Sequence, residues 1–234
     1  IVCRFMPKER RKPLINTIVK ILEKYGNLFL EGAGVTLGLS AITVFFGVIL
    51  GSLIALMKMS KLHIWKFKPL SFLATIYIEV IRGTPLLLQL YFFYFLLPDI
   101  VPFELSKFTC VAVALVFNSA GYVAEIIRAG IAAVDVGQTE AARSLGLNGR
   151  QTMMKIVLPQ AVKNILPALC NEFVMIIKET SLASTFFIGD LMTQYKTVSG
   201  ALYLVIEPFI IVGVIYFILT FTLSKLVAIY ERRL

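Results

Sequence analysis

Charged and polar residues that interrupt long apolar stretches are the first candidates for chemistry in this sequence. Glu79 and Arg82 lie three residues apart, so on a helix they share one face and can pair. Pairing would reduce the cost, about 2.5–3.5 kcal/mol, of a charge at the centre of a membrane helix. Asn118 and Glu172 stand near the middle of two further apolar stretches. A buried amide either bridges helices or meets a solute, and a buried carboxylate needs a partner or water.

Glu125 and Arg128 form a second candidate ion pair near the end of an apolar stretch. Asn118, Tyr122 and Glu125 are four and then three residues apart, which places them on one helix face. For Glu125 we favour a structural role. Glu79 could pair with Arg82, which directly precedes Gly83-Thr84-Pro85. Both a structural and a gating role stay open for Glu79.

Metal and nucleophile chemistry finds little support in the residue types. His63 is the single histidine, and Cys3, Cys110 and Cys170 are isolated, so we predict neither a metal site nor a disulfide framework. No GxxxxGK[ST] phosphate loop occurs, so any ATP that drives this protein must bind to another chain. No nucleophile–base pair is identifiable, which disfavours a membrane enzyme.

The composition is that of a protein that crosses a membrane several times. Of its 234 residues, 58% are hydrophobic and 16% are charged, whereas soluble domains are roughly half apolar and about a quarter charged. The net charge of +9 comes from cations in loops beside apolar stretches. Membrane topology explains them better than a nucleic-acid surface does, and we expect no nucleic acid as a partner.

Five apolar stretches predict five transmembrane helices, at about 28–57, 69–97, 108–133, 156–178 and 202–230. The N-terminus is then outside and the C-terminus inside, because the basic loops at 58–68, 143–163 and 225–233 fall on one side. The basic tail at 4–12 violates this rule. Either a further upstream span or binding to the membrane surface would resolve the conflict.

Residues 1–27 are predicted to form a basic tail and an amphipathic helix, and residues 28–234 the transmembrane domain. Apolar residues recur at helical spacing from Leu14, which indicates a helix in the membrane interface. The alternative is that these residues are the first turns of a long tilted span. In the first span, Gly34-x-x-x-Gly38 and Gly47-x-x-x-Gly51 predict close helix packing.

The second predicted span is too long to cross a membrane as one straight helix. At roughly 1.5 Å per residue, 69–97 exceeds the roughly 30 Å of hydrocarbon. Pro85 follows Gly83-Thr84 and removes a helical hydrogen bond, so we expect the segment to tilt, break or project from the membrane. Residues 185–196, interrupted by Gly189-Asp190, predict a short external helix or gate element.

The polar segment 137–159, between the third and fourth spans, is the most distinctive part of the chain. Thr139 can cap a short helix whose first turn holds Glu140. Gly146 offers the left-handed residue that ends it. About two turns of helix are too short to be stable alone, so this helix is expected to lie against a partner. Its cations place it on the cytoplasmic side.

This polar segment carries a spaced motif, whose members are Glu140, Ala141, Ala142, Gly146, Ile156, Leu158 and Pro159. The motif resembles the EAA loop of ABC importer permeases. The resemblance implies a coupling helix that seats in a groove of a separate ATP-hydrolysing subunit. The Glu-Ala-Ala triplet suits any helix, and an ordinary helical linker is the alternative. The full spacing in a basic loop favours the coupling loop.

Three further stretches resemble the polar amino-acid branch of the same permease family. They are 82–90, which includes Gln89, then 166–173, and 178–182, which includes Lys178 and Glu179. Many relatives have aspartate where Glu179 stands, a slight departure. These polar residues are candidates for gating or structural roles.

Pattern and resemblance together predict an all-α polytopic membrane protein with five transmembrane helices, an N-terminal amphipathic helix and a cytoplasmic coupling helix between spans 3 and 4. The resemblance implies a permease subunit that imports polar amino acids by alternating access in a bacterial inner membrane. The implied partners are a second permease chain, identical or different, two ABC ATPase subunits, an external amino-acid-binding protein and membrane lipid. ATP and magnesium would bind to the ATPase, so this chain is expected to hold no cofactor and to be no enzyme.

An amino acid carries an ammonium and a carboxylate, and both need partners once dehydrated. Depth and chemistry nominate Glu172 for a cationic group and Asn118 or Thr84 for polar contacts. The rival function is a secondary transporter, in which Glu79, Glu125 and Glu172 would couple an ion gradient. Five spans without an evident internal repeat disfavour it. ATP dependence of uptake distinguishes the two functions.

Overall fold

Helices make up all the regular secondary structure in residues 14–60 and 68–231, the part of the chain that the computed structural model describes. The predicted all-α class is confirmed. The basic tail at 4–12, most of the loop at 58–68 and the arginines at 232 and 233 lie outside the described residues.

Nine α-helices follow one another along the described residues. They are α1 (Leu14–Lys58), α2 (Pro69–Gly83), α3 (Leu86–Ile100), α4 (Lys107–Ala132), α5 (Val136–Ser144), α6 (Gly149–Thr152), α7 (Leu158–Glu179), α8 (Leu191–Leu202) and α9 (Ile206–Glu231). A π-helical turn (Met153–Val157) joins α6 to α7, and a 3₁₀ segment (Thr180–Phe186) follows α7.

Helix α1 is 45 residues long and therefore roughly 68 Å in length. It runs without interruption through residue 28, so the amphipathic stretch and the first predicted span are parts of one helix. A helix of this length extends well beyond the roughly 30 Å of membrane hydrocarbon. The location of its first turns in the membrane interface stays a prediction.

The expected break in the second span is present between α2 and α3. The chain bends by 110° between these two helices. Thr84 and Pro85 between them both have extended backbone. Pro85 has no amide hydrogen to donate and disfavours a helical conformation at Thr84, which accounts for the position of the corner.

Three helices of the described chain, α1, α4 and α9, are long and apolar enough to cross a membrane, and the bent pair α2–α3 could supply a fourth span. Helix α7 is not among them, because amides and charges interrupt its apolar residues. The predicted total of five spans therefore stays a prediction. Helix α9 begins at Ile206 and not near 202, since α8 extends to Leu202 and Tyr203 has left-handed backbone with φ 55°.

Glycines bring α1 and α4 together. A Cβ atom added to Gly51 would lie 2.7 Å from the Cβ of Val123, and one added to Gly47 would lie 2.8 Å from the Oγ of Ser119. The predicted packing role of this pair is confirmed. Gly34 and Gly38, by contrast, have nothing within 4 Å of an added Cβ among the described residues, so their role in close packing stays a prediction.

The element predicted at 185–196 is more extensive in the structure. Gly189 has φ +86°, and the side chain of Asp190 caps α8 by accepting a hydrogen bond from the backbone N of Met192 at 3.0 Å. Leu191 and Val198 of α8 then pack in an apolar core against Phe29 of α1. Helix α8 is thus held against the first half of α1.

Candidate functional site

The predicted coupling helix corresponds to α5, but it begins earlier than the sequence indicated. Asp135 caps it, since its Oδ1 accepts a hydrogen bond from the backbone N of Gly137 at 2.7 Å. The prediction that Thr139 caps the helix with Glu140 in its first turn is wrong. Asp135 is a better cap than Thr139 by intrinsic preference, and it adds one turn to the helix.

The predicted end of this helix at Gly146 is confirmed. Gly146 has φ +84°, and its backbone N donates to the carbonyl of Arg143 at 3.0 Å. The backbone N of Leu147 donates to the carbonyl of Ala142 at 3.1 Å. This pair of bonds is a Schellman motif, which satisfies two carbonyls that a helix end otherwise leaves unpaired. Gly146 therefore sets the direction in which the chain leaves α5.

A second short helix, α6, follows at once and was missed at the sequence level. Asn148 and Gln151 form a capping box: each side chain accepts a hydrogen bond from the other residue's backbone N, both at 2.9 Å. The spacing Asn-x-x-Gln is a known signal for a helix start and could have revealed it. The π turn after α6 ends just before Pro159, which has no amide hydrogen to continue the regular ladder.

The α5–α6 segment is largely exposed and includes two exposed apolar side chains. Leu145 is 84% exposed and Val136 69% exposed. Glu140 and Ala141 are also exposed, whereas Ala142 packs inward. Val136 lies at the start of α5 and Leu145 at its end, so one exposed apolar side chain flanks each end of the exposed residues Glu140 and Ala141.

The corner between α2 and α3 brings two of the predicted path residues together through a third. The Nδ2 of Asn118 donates to the Oε1 of Gln89 at 2.9 Å. The Nε2 of Gln89 donates in turn to the Oγ1 of Thr84 at 2.9 Å. Asn118 is 2% exposed and Gln89 7% exposed. Asn118 thus bridges helices, which is one of the two roles that the sequence left open.

The predicted ion pair between Glu79 and Arg82 is absent. The salt bridges among the described residues both involve Glu125. Glu79 and Arg82 are exposed, and the guanidinium of Arg82 lies 5.8 Å from the ring centroid of Tyr122 on α4. A spacing of three residues allows a pair but does not require one, and the aromatic ring offers Arg82 a competing contact.

The predicted pair Glu125–Arg128 is present, and the sequence missed its third member. Arg128 Nε donates to Oε1 of Glu125 at 2.9 Å, and the Nζ of Lys58 donates to Oε2 at 3.2 Å. Lys58 comes from the end of α1. The sequence offered no local signal for this contact.

Glu172 is 6% exposed and lies in α7. A cavity of about 510 Å³ lies at the C-terminal end of α7, against α8 and α9. Its polar lining consists of Lys178, Ser181, Ser184, Thr185, Lys196 and Tyr216. Glu172, Asn118 and Thr84 do not line it. Among the described residues, no group of three or more His, Cys, Asp or Glu side chains could hold a metal ion.

Lys178 and Lys196 give this cavity its positive charge. The Nζ of Lys196 donates to the backbone carbonyl of Ser184 at 3.1 Å, which fixes the ammonium at the wall. Neither lysine forms a salt bridge in the described part of the chain. The cavity can therefore offer cations and hydroxyl groups to an anionic ligand. Lys196 was not identified from the sequence.

Comparisons with known proteins define the class. Residues 44–234 match the family described as "Binding-protein-dependent transport system inner membrane component". The chain belongs to this family. It is therefore a membrane component of a transport system, as the resemblance implied.

Individual relatives agree with this assignment. The chain is 42% identical to the arginine transport system permease protein ArtQ of Bacillus subtilis, over 88% of its own length and 91% of that protein. It is 41% identical to the putative glutamine transport system permease protein GlnP of Rickettsia bellii, over 87% and 91%. These matches support an importer permease and not a secondary transporter.

Solved structures show the same fold. A chain of "Crystal structure of an amino acid ABC transporter with histidines" superposes with a TM-score of 0.86 at 47% identity, covering 93% of this chain and 98% of that one. A chain of the MetNI methionine ABC transporter superposes with a TM-score of 0.69 at 17% identity, covering 88% and 97%. The second likeness concerns the fold alone.

Proposed function

We propose that this chain is the permease subunit of an ATP-driven importer of polar amino acids in a bacterial inner membrane. The observation that carries the proposal is the α5–α6 segment, with its spaced motif, its closure at Gly146 and its exposed Leu145 and Val136. The named substrates of the relatives support the amino-acid class. Two ATPase subunits, a second permease chain and an external binding protein complete the transporter.

The α5–α6 segment is proposed to seat on the ATPase through Glu140, Ala141 and Leu145. ATP and magnesium would bind to that subunit, and this chain would act as the lever. Helix α6 continues through the π turn into α7 without a break, so a displacement of the α5–α6 segment would move α7 as a rigid body. Motion of α5 would then be transmitted through α7 to the cavity at the C-terminal end of α7.

The solute path is proposed to include the cavity at Lys178 and Lys196. Helix α7 has 22 residues and rises roughly 33 Å, so the cavity lies about one membrane thickness from the coupling segment. A dehydrated amino acid needs a cation for its carboxylate, and the two lysines with nearby hydroxyl groups supply this chemistry. Glu172 remains the proposed partner for a cationic group, and the proposed polar contact is Thr84 or the Oδ1 of Asn118, which accepts no hydrogen bond among the described residues.

Uptake into proteoliposomes tests the function. The chain, its ATPase and any second permease chain are reconstituted with ATP inside, and radiolabelled amino acids with the binding protein outside. We expect accumulation that requires ATP. A matched preparation with the ATPase omitted and an imposed ion gradient is the control. Uptake in that control would overturn the proposal in favour of a secondary transporter.

A further inference from the structure

The corner between α2 and α3 has an unusual donor at its centre, the side-chain amide of Gln89. In a regular helix the carbonyl of Ile81 would accept a hydrogen bond from the backbone N of residue 85. Residue 85 is proline and has no amide hydrogen. The Nε2 of Gln89 donates to that carbonyl at 2.8 Å. A side chain one turn further along thus replaces the missing backbone donor.

The same amide contacts further polar groups of the corner. Its Nε2 also lies 3.1 Å from the carbonyl of Thr84 and 2.9 Å from the Oγ1 of Thr84. That hydroxyl donates to the carbonyl of Val80 at 2.8 Å. Polar groups that lack a partner are costly in an apolar medium, so this set stabilises the bend against straightening or fraying.

Gln89 also joins the corner to α4, through a hydrogen bond between two side-chain amides. The Oε1 of Gln89 accepts from Asn118 at 2.9 Å, and both residues are buried. Leu90, the next residue of α3, is fully buried in an apolar core with Val111 and Leu115 of α4. The hydrogen bonds and the packing together attach the corner to α4.

We propose that Gln89 is a positioning residue for transport: its amide replaces the donor that Pro85 lacks and makes α2, the corner, α3 and α4 move as one rigid body. The part of this inference that concerns transport rests on the proposed function. In alternating access, a bend that yielded would absorb motion that should reach the solute path. Gln89 is therefore expected to determine how much transport each hydrolysed ATP produces.

Gln89→Met is the central variant, because methionine has a similar length and volume but donates no hydrogen bond. Asn118→Leu and the double variant complete a double-mutant cycle. Asn27→Leu, which replaces an exposed amide on α1, is the control. The reconstituted complex is assayed for uptake, for ATP hydrolysis and for the amount of ATPase that copurifies.

In Gln89→Met we expect the ratio of solute transported to ATP hydrolysed to fall at least about fivefold while the copurifying ATPase stays constant. The double variant should lose no more than about twice as much as Gln89→Met alone, because the two amides act as a unit. Asn27→Leu should match the wild type. A normal ratio in Gln89→Met, or uptake that falls only in proportion to assembled complex, would overturn the inference.

A distance measurement tests the corner independently of transport. Spin labels are placed at Leu73 on α2 and Phe95 on α3, both of which are exposed, after replacement of the native cysteines. Pulsed EPR should give one narrow distance distribution with Gln89 and a broader or displaced one with Gln89→Met. An unchanged distribution would overturn the inference even if uptake could not be measured. Absence of ATP-driven uptake in the wild type would instead count against the proposed function.

Discussion

The Nζ of Lys58 at the end of α1 donates a hydrogen bond to the Oε2 of Glu125 on α4 at 3.2 Å. Arg128, one turn further along α4, binds the same carboxylate through Nε at 2.9 and 3.0 Å. One carboxylate therefore holds two cations from two helices. Glycines 47 and 51 bring the same two helices into close contact, so the ion cluster marks one end of the main helix pair.

Glu125→Gln should destabilise the folded chain. The variant removes the charge from the hydrogen bonds that Lys58 and Arg128 donate, each worth about 1.5–3 kcal/mol when one group is ionised, and leaves both cations without their counter-charge. We expect the melting temperature of the purified complex in detergent to fall by about 4–8 °C. Glu79→Gln is the control, because Glu79 is exposed and forms no salt bridge among the described residues. Equal shifts in both variants would contradict a specific role for Glu125.

Gly146→Ala should weaken ATP-driven uptake without preventing membrane insertion. An alanine in the left-handed conformation costs about 1–2 kcal/mol, so the turn after α5 would shift and misdirect α6. Uptake and copurification of the ATPase are the measurements. Gly34→Ala is the matched control, since an added Cβ there meets nothing within 4 Å. Normal uptake with Gly146→Ala would show that the closure of α5 is not needed for coupling.

Lys178→Met should weaken binding of the transported amino acid to the solubilised permease complex. Loss of one charged hydrogen bond of about 1.4 kcal/mol or more raises Kd at least about tenfold. Equilibrium binding of radiolabelled amino acid, measured without the external binding protein, reports on the permease complex itself. Lys20→Met on α1, an exposed lysine outside the cavity, should leave Kd unchanged. An unchanged Kd in Lys178→Met would remove this lysine from the path.

Glu172→Gln should impair transport while leaving assembly with the ATPase intact. The amide keeps the shape of the carboxylate but removes its charge, so a cationic solute group would lose its proposed partner. Uptake kinetics and copurification of the ATPase are measured in the same preparation. Unchanged kinetics would remove Glu172 from the path. Loss of assembly would indicate that this buried carboxylate has a structural role.

Local features of the sequence were the ones that could be predicted. The all-α class, the break at Pro85, the limits of α4 within about two residues and the closure of α5 at Gly146 were all correct. Each depends on composition or on a residue whose backbone chemistry allows few conformations, such as proline without an amide hydrogen. The predicted cap of α5 was wrong: Thr139 and Asp135 are both acceptable cap residues, and the helix begins directly after Asp135.

Contacts between distant helices were decided by the tertiary structure. The sequence contained no signal that pairs Lys58 with Glu125, or Gln89 with Asn118, since residues far apart in the chain meet only when whole helices pack. It also paired Glu79 with Arg82, whereas packing placed Arg82 beside Tyr122. The cavity at Lys178 and Lys196 likewise depends on how α7, α8 and α9 pack.

Composition and the spaced motif were thus enough to determine the class of protein, because burial in a membrane and the backbone demands of a short capped helix restrict residue types locally. The angle of 110° at the corner, the amide that holds it and the lining of the cavity were not determined in this way. They follow from side chains brought together across helices, and a one-dimensional pattern specifies which faces are apolar but not which faces meet.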